Sequence, residues 1–270
     1  MAAEENAKST YLEILAELGM TRHLGDLEAT KELVELCHID SGKYILDVGC
    51  GIGRTPCYLA RKYACRVVGV DVSEKMIAWA TQRARSEGVK DRTEFRVADA
   101  QDLPFEDGSF DVVINESVLV FVKDRRKALS ECVRVTRPGG YVGLNESSWI
   151  KTPAPDGVVQ FLSSDLFTGA RLVPVDAIEK ELAESGLKDI RVNVHRTTAR
   201  GDLASRLRYY GPKGVLRNLY RILSLYMSSS AGRKAMKEII GGQSKAPKDL
   251  YEYYGYGIFV GIKPPLVVRA

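Results

Sequence analysis

Between residues 44 and 145 short β-branched runs alternate with amphipathic stretches of helical period, and this alternation restricts the fold more than any other feature of the chain. Tyr44 to Val48, Arg66 to Val70, Thr93 to Ala98, Phe110 to Asn115 and Tyr141 to Asn145 read as strands, with helices at 55–63, 73–87 and 124–135 between most of them. The connection from Ala100 to Ser109 is shorter and gives no clear helix. Strands separated in this way form a parallel sheet through right-handed crossovers. A sixth strand is expected at Ile190 to His195, after a helix at Val175 to Ser185, and a seventh at Tyr256 to Ile262. The expected class is α/β, a doubly wound sheet with helices on both faces.

Two stretches break the rhythm: Ser147 to Val173, with Pro153 and Pro155, and a basic block at 200–254. Both read as insertions above a sheet edge. Ahead of the first strand, helices at Thr10 to Leu18 and Leu27 to Cys37 form a candidate lid. The expected organisation is a helical lid over 1–40, a core over 41–199 and 255–264, and a basic helical cap over 200–254. With 45% hydrophobic and 27% charged residues the chain has ordinary globular proportions, and no apolar run approaches the ~18 residues of a membrane span. The acidic start, Met1-Ala2-Ala3-Glu4-Glu5, lacks the basic and then apolar order of a secretory signal. Five cysteines, at 37, 50, 57, 65 and 132, contain no C-x-x-C pair and match no common zinc spacing. Buried thiols in a reducing cytoplasm, and no metal site, are the expectation.

The segment Ile45-Leu46-Asp47-Val48-Gly49-Cys50-Gly51-Ile52-Gly53-Arg54-Thr55-Pro56 is a strand feeding a glycine loop feeding a helix, with Thr55 as the expected N-cap and Pro56 in the first turn. Alternate glycines let a ligand approach the backbone at the carboxyl end of the first strand, where an open α/β sheet forms its crevice. Spacing narrows the ligand. A dinucleotide fingerprint would need glycine at 54 or 56, where Arg54 and Pro56 stand, and no Gly-Lys-Ser/Thr follows for a Walker loop. Both a nicotinamide-dependent reductase and a nucleotide triphosphatase are thereby disfavoured. Asp71 ends the second strand about 20 residues past the glycines. Its carboxylate can accept from both hydroxyls of a ribose, each bond contributing about 1.5 to 3 kcal/mol.

The run D-x-G-x-G-x-G at Asp47 to Gly53, the acidic end at Asp71, Ala98-Asp99-Ala100 and Arg137-Pro138-Gly139-Gly140 together resemble class I S-adenosylmethionine-dependent methyltransferases. The resemblance spans residues 40–145. It implies a Rossmann-like sheet of seven strands, mostly parallel with an antiparallel last strand, and S-adenosyl-L-methionine as cofactor, leaving as S-adenosyl-L-homocysteine. It also implies that the loop of Asp47, Gly49, Cys50, Gly51 and Gly53 faces the methionine part, that Asp71 holds the ribose and that Asp99 accepts from the adenine amino group. By the same resemblance Val72 and Met76 flank the adenine ring and Ala100 supplies a backbone contact. Asp102-Leu103-Pro104-Phe105-Glu106-Asp107-Gly108-Ser109-Phe110-Asp111 is similar to the subgroup of ubiquinone and menaquinone, sterol and phosphoethanolamine methyltransferases, without choosing among them.

Methyl transfer from a sulfonium is an in-line displacement, for which positioning alone can supply roughly 7 to 11 kcal/mol. A base helps only if the acceptor is a carbon or a hydroxyl. Glu116, in Asn115-Glu116-Ser117, and Glu146, in Asn145-Glu146-Ser147, follow adjacent strands and are the candidate catalytic carboxylates. Asn115 is alternatively a ligand for the amino-acid end of the cofactor, and His23, in the lid, a ligand for substrate or for the cofactor carboxylate.

The net charge of +4 hides an asymmetry: residues 200–248 hold eleven Lys/Arg against Asp202 and Glu238, a local +9 that leaves −5 elsewhere. Within this block Leu216, Leu219, Leu223 and Tyr226 recur at helical spacing, while Lys213, Arg217 and Arg221 form a basic stripe. Either the apolar face closes over an acceptor as a lid, or 213–228 makes peripheral contact with an anionic membrane. The expected partner is a small-molecule or lipid-like acceptor. C- or O-methylation of a quinone-like ring leads, N-methylation of a small amine follows, and a non-catalytic or RNA-associated role is the rival class. No RNA module accompanies the basic patch, which argues against nucleic acid.

Overall fold

The computed structural model describes residues 16, 18, 19, 21, 23–163, 170–198 and 246–265, with 211, 212, 214–216, 219–221, 223, 224, 226, 227 and 233 between the last two segments. Apart from Ala16 and Leu18, the expected helix at Thr10 to Leu18 lies outside the described residues, as do Tyr209, Tyr210, Lys213 and Arg217.

Among the described residues eight strands form one sheet. They are β1 (Tyr44–Val48), β2 (Arg66–Asp71), β3 (Thr93–Val97), β4 (Phe110–Glu116), β5 (Thr136–Trp149), β6 (Val173–Pro174), β7 (Lys188–Arg196) and β8 (Tyr254–Ile262). The order is β3-β2-β1-β4-β5-β8-β7. Pairs from β3 to β5 are parallel, and β8 runs antiparallel between β5 and β7. The two-residue β6 is additional to the seven expected strands and pairs with the end of β5, which extends to Trp149. β1 and β4 are buried almost throughout because helices cover both their faces.

The helices are α1 (Asp26–Leu36), α2 (Arg54–Tyr63), α3 (Glu74–Ser86), α4 (Arg125–Val135), α5 (Asp156–Ser163), α6 (Val175–Glu184) and α7 (Leu250–Tyr253). One face of the sheet packs under α1, α2 and part of α3, where Leu33, Cys37, Ile45, Leu59, Val67 and Ile114 meet. The other packs under α4 and α6 through Leu46, Val68, Val113, Leu129, Leu144 and Leu182. All five cysteines are free and buried, and burial pushes the Cys132 thiol up to about 12. Ser73 caps α3, its Oγ accepting from Met76 N at 3.4 Å. Thr55 does not cap α2: the helix starts one residue earlier, after Gly53 in a left-handed conformation. The chain order reverses between β1 and β4, and at such a switch point the loops leave the strand ends in opposite directions and open a crevice.

Candidate functional site

The glycine loop turns directly from β1 into α2. Gly49 and Gly51 both have positive φ, 75° and 51°, so a side chain at either position would be strained. Neither has room for one. A Cβ on Gly49 would run into Val118, from the turn after β4, and a Cβ on Gly51 would come within 2.8 Å of Thr21 Oγ1, from the lid. Asp71 holds the loop from the other side. Its Oδ2 accepts from Gly51 N at 3.0 Å and its Oδ1 from Ser73 N at 2.9 Å, tying the loop to the start of α3. Burial pushes the Asp71 carboxyl up, and the two N–H donors pull it back.

Asp71 pairs with Val97, and Ala98 N donates to Asp71 O at 3.1 Å, so the chain after β3 emerges beside the Asp71-Val72 corner. Asp99 is exposed and accepts from Gln101 N at 2.8 Å. Val72 is also exposed, Ala100 is buried, and Met76 is buried against Ala16 and Ile52 with Trp79 alongside. The expected ribose and adenine residues therefore share one corner of the sheet.

A second group lies on the α1 and α2 side. Thr21, His23, Asp47, Gly49, Cys50, Arg54, Thr55 and Glu116 line a pocket of about 20 Å³, room for roughly one water. Glu116 is held there by two hydroxyl donors, with a histidine alongside. Thr30 Oγ1 donates to its Oε1 at 2.9 Å, Thr55 Oγ1 to its Oε2 at 2.7 Å, and His23 Nε2 stands 3.5 Å from Oε1. Asn145 Nδ2 lies 2.9 Å from both His23 Nδ1 and Leu24 O. Because the carbonyl can only accept, this nitrogen is the donor, which leaves the His23 proton on Nε2, toward Glu116. Asp47 is buried in the same pocket. Desolvation, reinforced by the Glu116 and Asp71 carboxylates, pushes its carboxyl well above the usual range.

Glu146, expected beside Glu116, lies elsewhere. It is fully buried on the opposite face, where its Oε1 accepts from Val118 N at 3.0 Å and Leu119 N at 2.9 Å. It holds the turn that presses Val118 on Gly49 and does not line the pocket. Strand register explains the separation. Glu116 pairs with Asn145, so these two share a face, while Asn115 pairs with Leu144 and shares the other with Glu146. Both Asn115 amide atoms are buried without a hydrogen-bond partner. The pocket residues not anticipated from sequence are Thr21, Thr30, Arg54 and Asn145, with Thr55 anticipated only as a cap. Asn145 already stood in the Asn-Glu pattern, and only the register gives it to the lid.

A family model described as a methyltransferase domain matches residues 46–144, from β1 to β5. This core belongs to the class I S-adenosylmethionine-dependent methyltransferase family. Methyltransferase GfsG of Streptomyces halstedii is 40% identical over 115 residues, covering 43% of this chain and 41% of that protein. The 27-O-demethylrifamycin SV methyltransferase of Amycolatopsis mediterranei is 33% identical over 162 residues, 59% of each chain. The chain thus spans about half the length of these curated relatives. In the structure of Haemonchus contortus phosphoethanolamine N-methyltransferase 2, in complex with phosphomonomethylethanolamine and S-adenosylhomocysteine, the likeness has a TM-score of 0.70 at 25% identity. It covers 91% of this chain and 54% of that one.

The methyltransferase core carries residues that fit the family's cofactor. The loop is bare of Cβ atoms at Gly49 and Gly51, Asp71 offers a carboxylate at the end of β2, and Asp47 and Glu116 line one pocket, where a cation would relieve the repulsion between their carboxyls. Thr21 and His23, which narrow this pocket, lie between Gly19 and Gly25, both at positive φ.

Proposed function

We propose that the protein transfers a methyl group from S-adenosyl-L-methionine to a small-molecule or lipid-like acceptor. The observation that carries this reading is the Asp71 carboxylate bonded to Gly51 N, which fixes the glycine loop and the ribose-binding acid as one unit. When bound, the cofactor supplies a methyl on a sulfonium. The chain's part is to hold and orient it: Asp71 takes the ribose, Asp99, Val72, Met76 and Ala100 the adenine, and the 47–53 loop the amino-acid end. At that end Asp47 and Glu116 meet the ammonium and Arg54 the carboxylate. Thr30 and Thr55 engage both oxygens of Glu116, so it serves as an anchor rather than as a proton acceptor. His23, tied to Asn145 and facing Glu116, closes the lid over this end.

For the acceptor, C- or O-methylation of a quinone-like ring is the leading form; the name of the rifamycin relative supports the O-methylation, and an apolar groove in the cap suits an apolar acceptor. A second form, N-methylation of a small amine, is supported by the Haemonchus neighbour and its bound phosphomonomethylethanolamine. The enzyme meets a lipid-like acceptor in peripheral contact with a membrane through 213–228. Calorimetry should show S-adenosylhomocysteine binding that Asp71→Ala weakens by about tenfold or more. No binding to the wild type sinks the proposal. Extracts incubated with methyl-labelled cofactor and separated into lipid, polar and RNA fractions then identify the acceptor, with mass spectrometry locating the methyl on C, O or N.

A further inference from the structure

All described residues from 211 to 227 are helical. Gly214 is buried, Val215 is half-buried, and the Arg221 guanidinium lies 4.5 Å over the Trp79 ring while donating to Leu18 O at 2.7 Å. The other side carries Leu216, Leu219, Tyr220, Leu223 and Met227, between 54 and 73% exposed. Their spacing of three, one, three and four residues places them in one stripe. An open apolar groove of about 430 Å³, lined by Pro212, Val215, Leu216 and Leu219, runs beside it. A stripe of five large apolar side chains facing water is unusual on a monomer and marks an interaction surface.

The charge around the stripe selects the occupant. From 203 to 237 the sequence has eight Lys/Arg and no Asp or Glu. Arg233, exposed at the end of the stripe, donates to Tyr226 O at 3.2 Å. A second copy of the chain, docked about a two-fold axis, would bring two such positive stretches together with no acid to neutralise them. A single-stranded RNA would satisfy the positive charge but leave the leucines and Met227 in water, since bases stack on aromatic faces. An anionic bilayer meets both requirements at once, its acyl boundary taking the stripe and its headgroups exposed basic residues such as Arg233, while Arg221 stays engaged with the body.

We infer that the 211–227 helix docks this protein on anionic lipid bilayers by burying Leu216, Leu219, Tyr220, Leu223 and Met227. Through Arg221 the docked helix bears on Trp79 of α3 and on the lid at Leu18, which places the cofactor corner next to the surface where an apolar acceptor dissolves. The inference rests on the lipid-like acceptor proposed above for its purpose, but not for its measurement.

The wild type should co-sediment with sucrose-loaded vesicles of 70:30 phosphatidylcholine and phosphatidylglycerol about tenfold more strongly than with phosphatidylcholine alone, and raised salt should reduce the difference. Leu219→Glu with Leu223→Glu should lose about tenfold of that binding, and Leu219→Ser with Leu223→Ser, which adds no charge, should move in the same direction. Both variants should bind S-adenosylhomocysteine as the wild type does. Equal sedimentation with and without phosphatidylglycerol, or leucine variants that sediment undiminished, overturns the inference. So does a dimer in light scattering that the leucine variants abolish, or single-stranded RNA binding in place of vesicle binding. Vesicle binding by a protein that does not bind S-adenosylhomocysteine upholds the docking and overturns the proposed function instead.

Discussion

Glu146→Gln isolates the energetics of the turn that presses Val118 onto the glycine loop. Burial raises the Glu146 carboxyl from 4.5 to about 7, opposed by the Val118 and Leu119 amides and by the Arg125 charge. The folded protein therefore keeps a proton at this site that the unfolded chain releases. Stability from the site is full below about pH 4.5 and declines as the pH rises to about 7. At about 1.4 kcal/mol for each tenfold step, the decline amounts to about 3 kcal/mol. Glutamine cannot ionise and keeps a carbonyl oxygen for both amides, so it removes the decline. It forfeits about 1 kcal/mol where a charged acceptor is exchanged for a neutral one. The variant should match the wild type within about 1 kcal/mol at pH 5 and exceed it by about 2 kcal/mol at pH 8. Urea unfolding followed by tryptophan fluorescence at the two pH values reads this difference, in which every other carboxyl cancels. A variant less stable than the wild type at pH 8, or one with an unchanged pH dependence, would refute the assignment. Glu146→Leu should lie about 1 to 3 kcal/mol below Glu146→Gln at both pH values because two buried amides lose their acceptor.

Glu116→Gln should weaken S-adenosylhomocysteine by about tenfold while leaving 5′-deoxy-5′-methylthioadenosine, which lacks the amino-acid end, within about twofold. Equal effects on the two ligands, or a loss of turnover with both affinities intact, would return Glu116 to the role of a base. Gly51→Ala should cost about 1 to 2 kcal/mol in a thermal melt, from its positive φ and from the displacement of Thr21, and should also weaken S-adenosylhomocysteine. An unchanged melting temperature would show that the lid yields freely at Thr21.

The fold was legible because its signals are local. Val67-Val68-Gly69-Val70-Asp71 declares a buried strand and its acidic end without reference to any other segment, and Ser73 caps the next helix as its position predicts. The cofactor corner inherits this legibility, since every residue assigned to it lies at or just past a strand end or in the first turn of a helix. Quantities that depend on two segments at once were not legible. Asn115-Glu116 and Asn145-Glu146 are the same dipeptide at the ends of neighbouring strands, and equivalence was the natural inference. Pairing of Glu116 with Asn145 offsets them by one residue, and with a side-chain period of two that offset sends one glutamate to the lid and the other beneath a turn.

The cap obeys the same restriction. Helical period places Leu216, Leu219 and Leu223 on one stripe, yet it does not state which side of the stripe faces protein. The contacts of Arg221 with Trp79 and Leu18 O decide that, by holding the helix down on its polar side and turning the leucines outward. A residue usually assigned to solvent thus anchors the helix, through a guanidinium that can both stack on an indole and bond a carbonyl. Lysine could replace the charge of Arg221 but neither the planar stacking nor the geometry of that bond. The orientation of the leucine stripe therefore depends on one arginine whose partners lie more than 140 residues earlier in the chain.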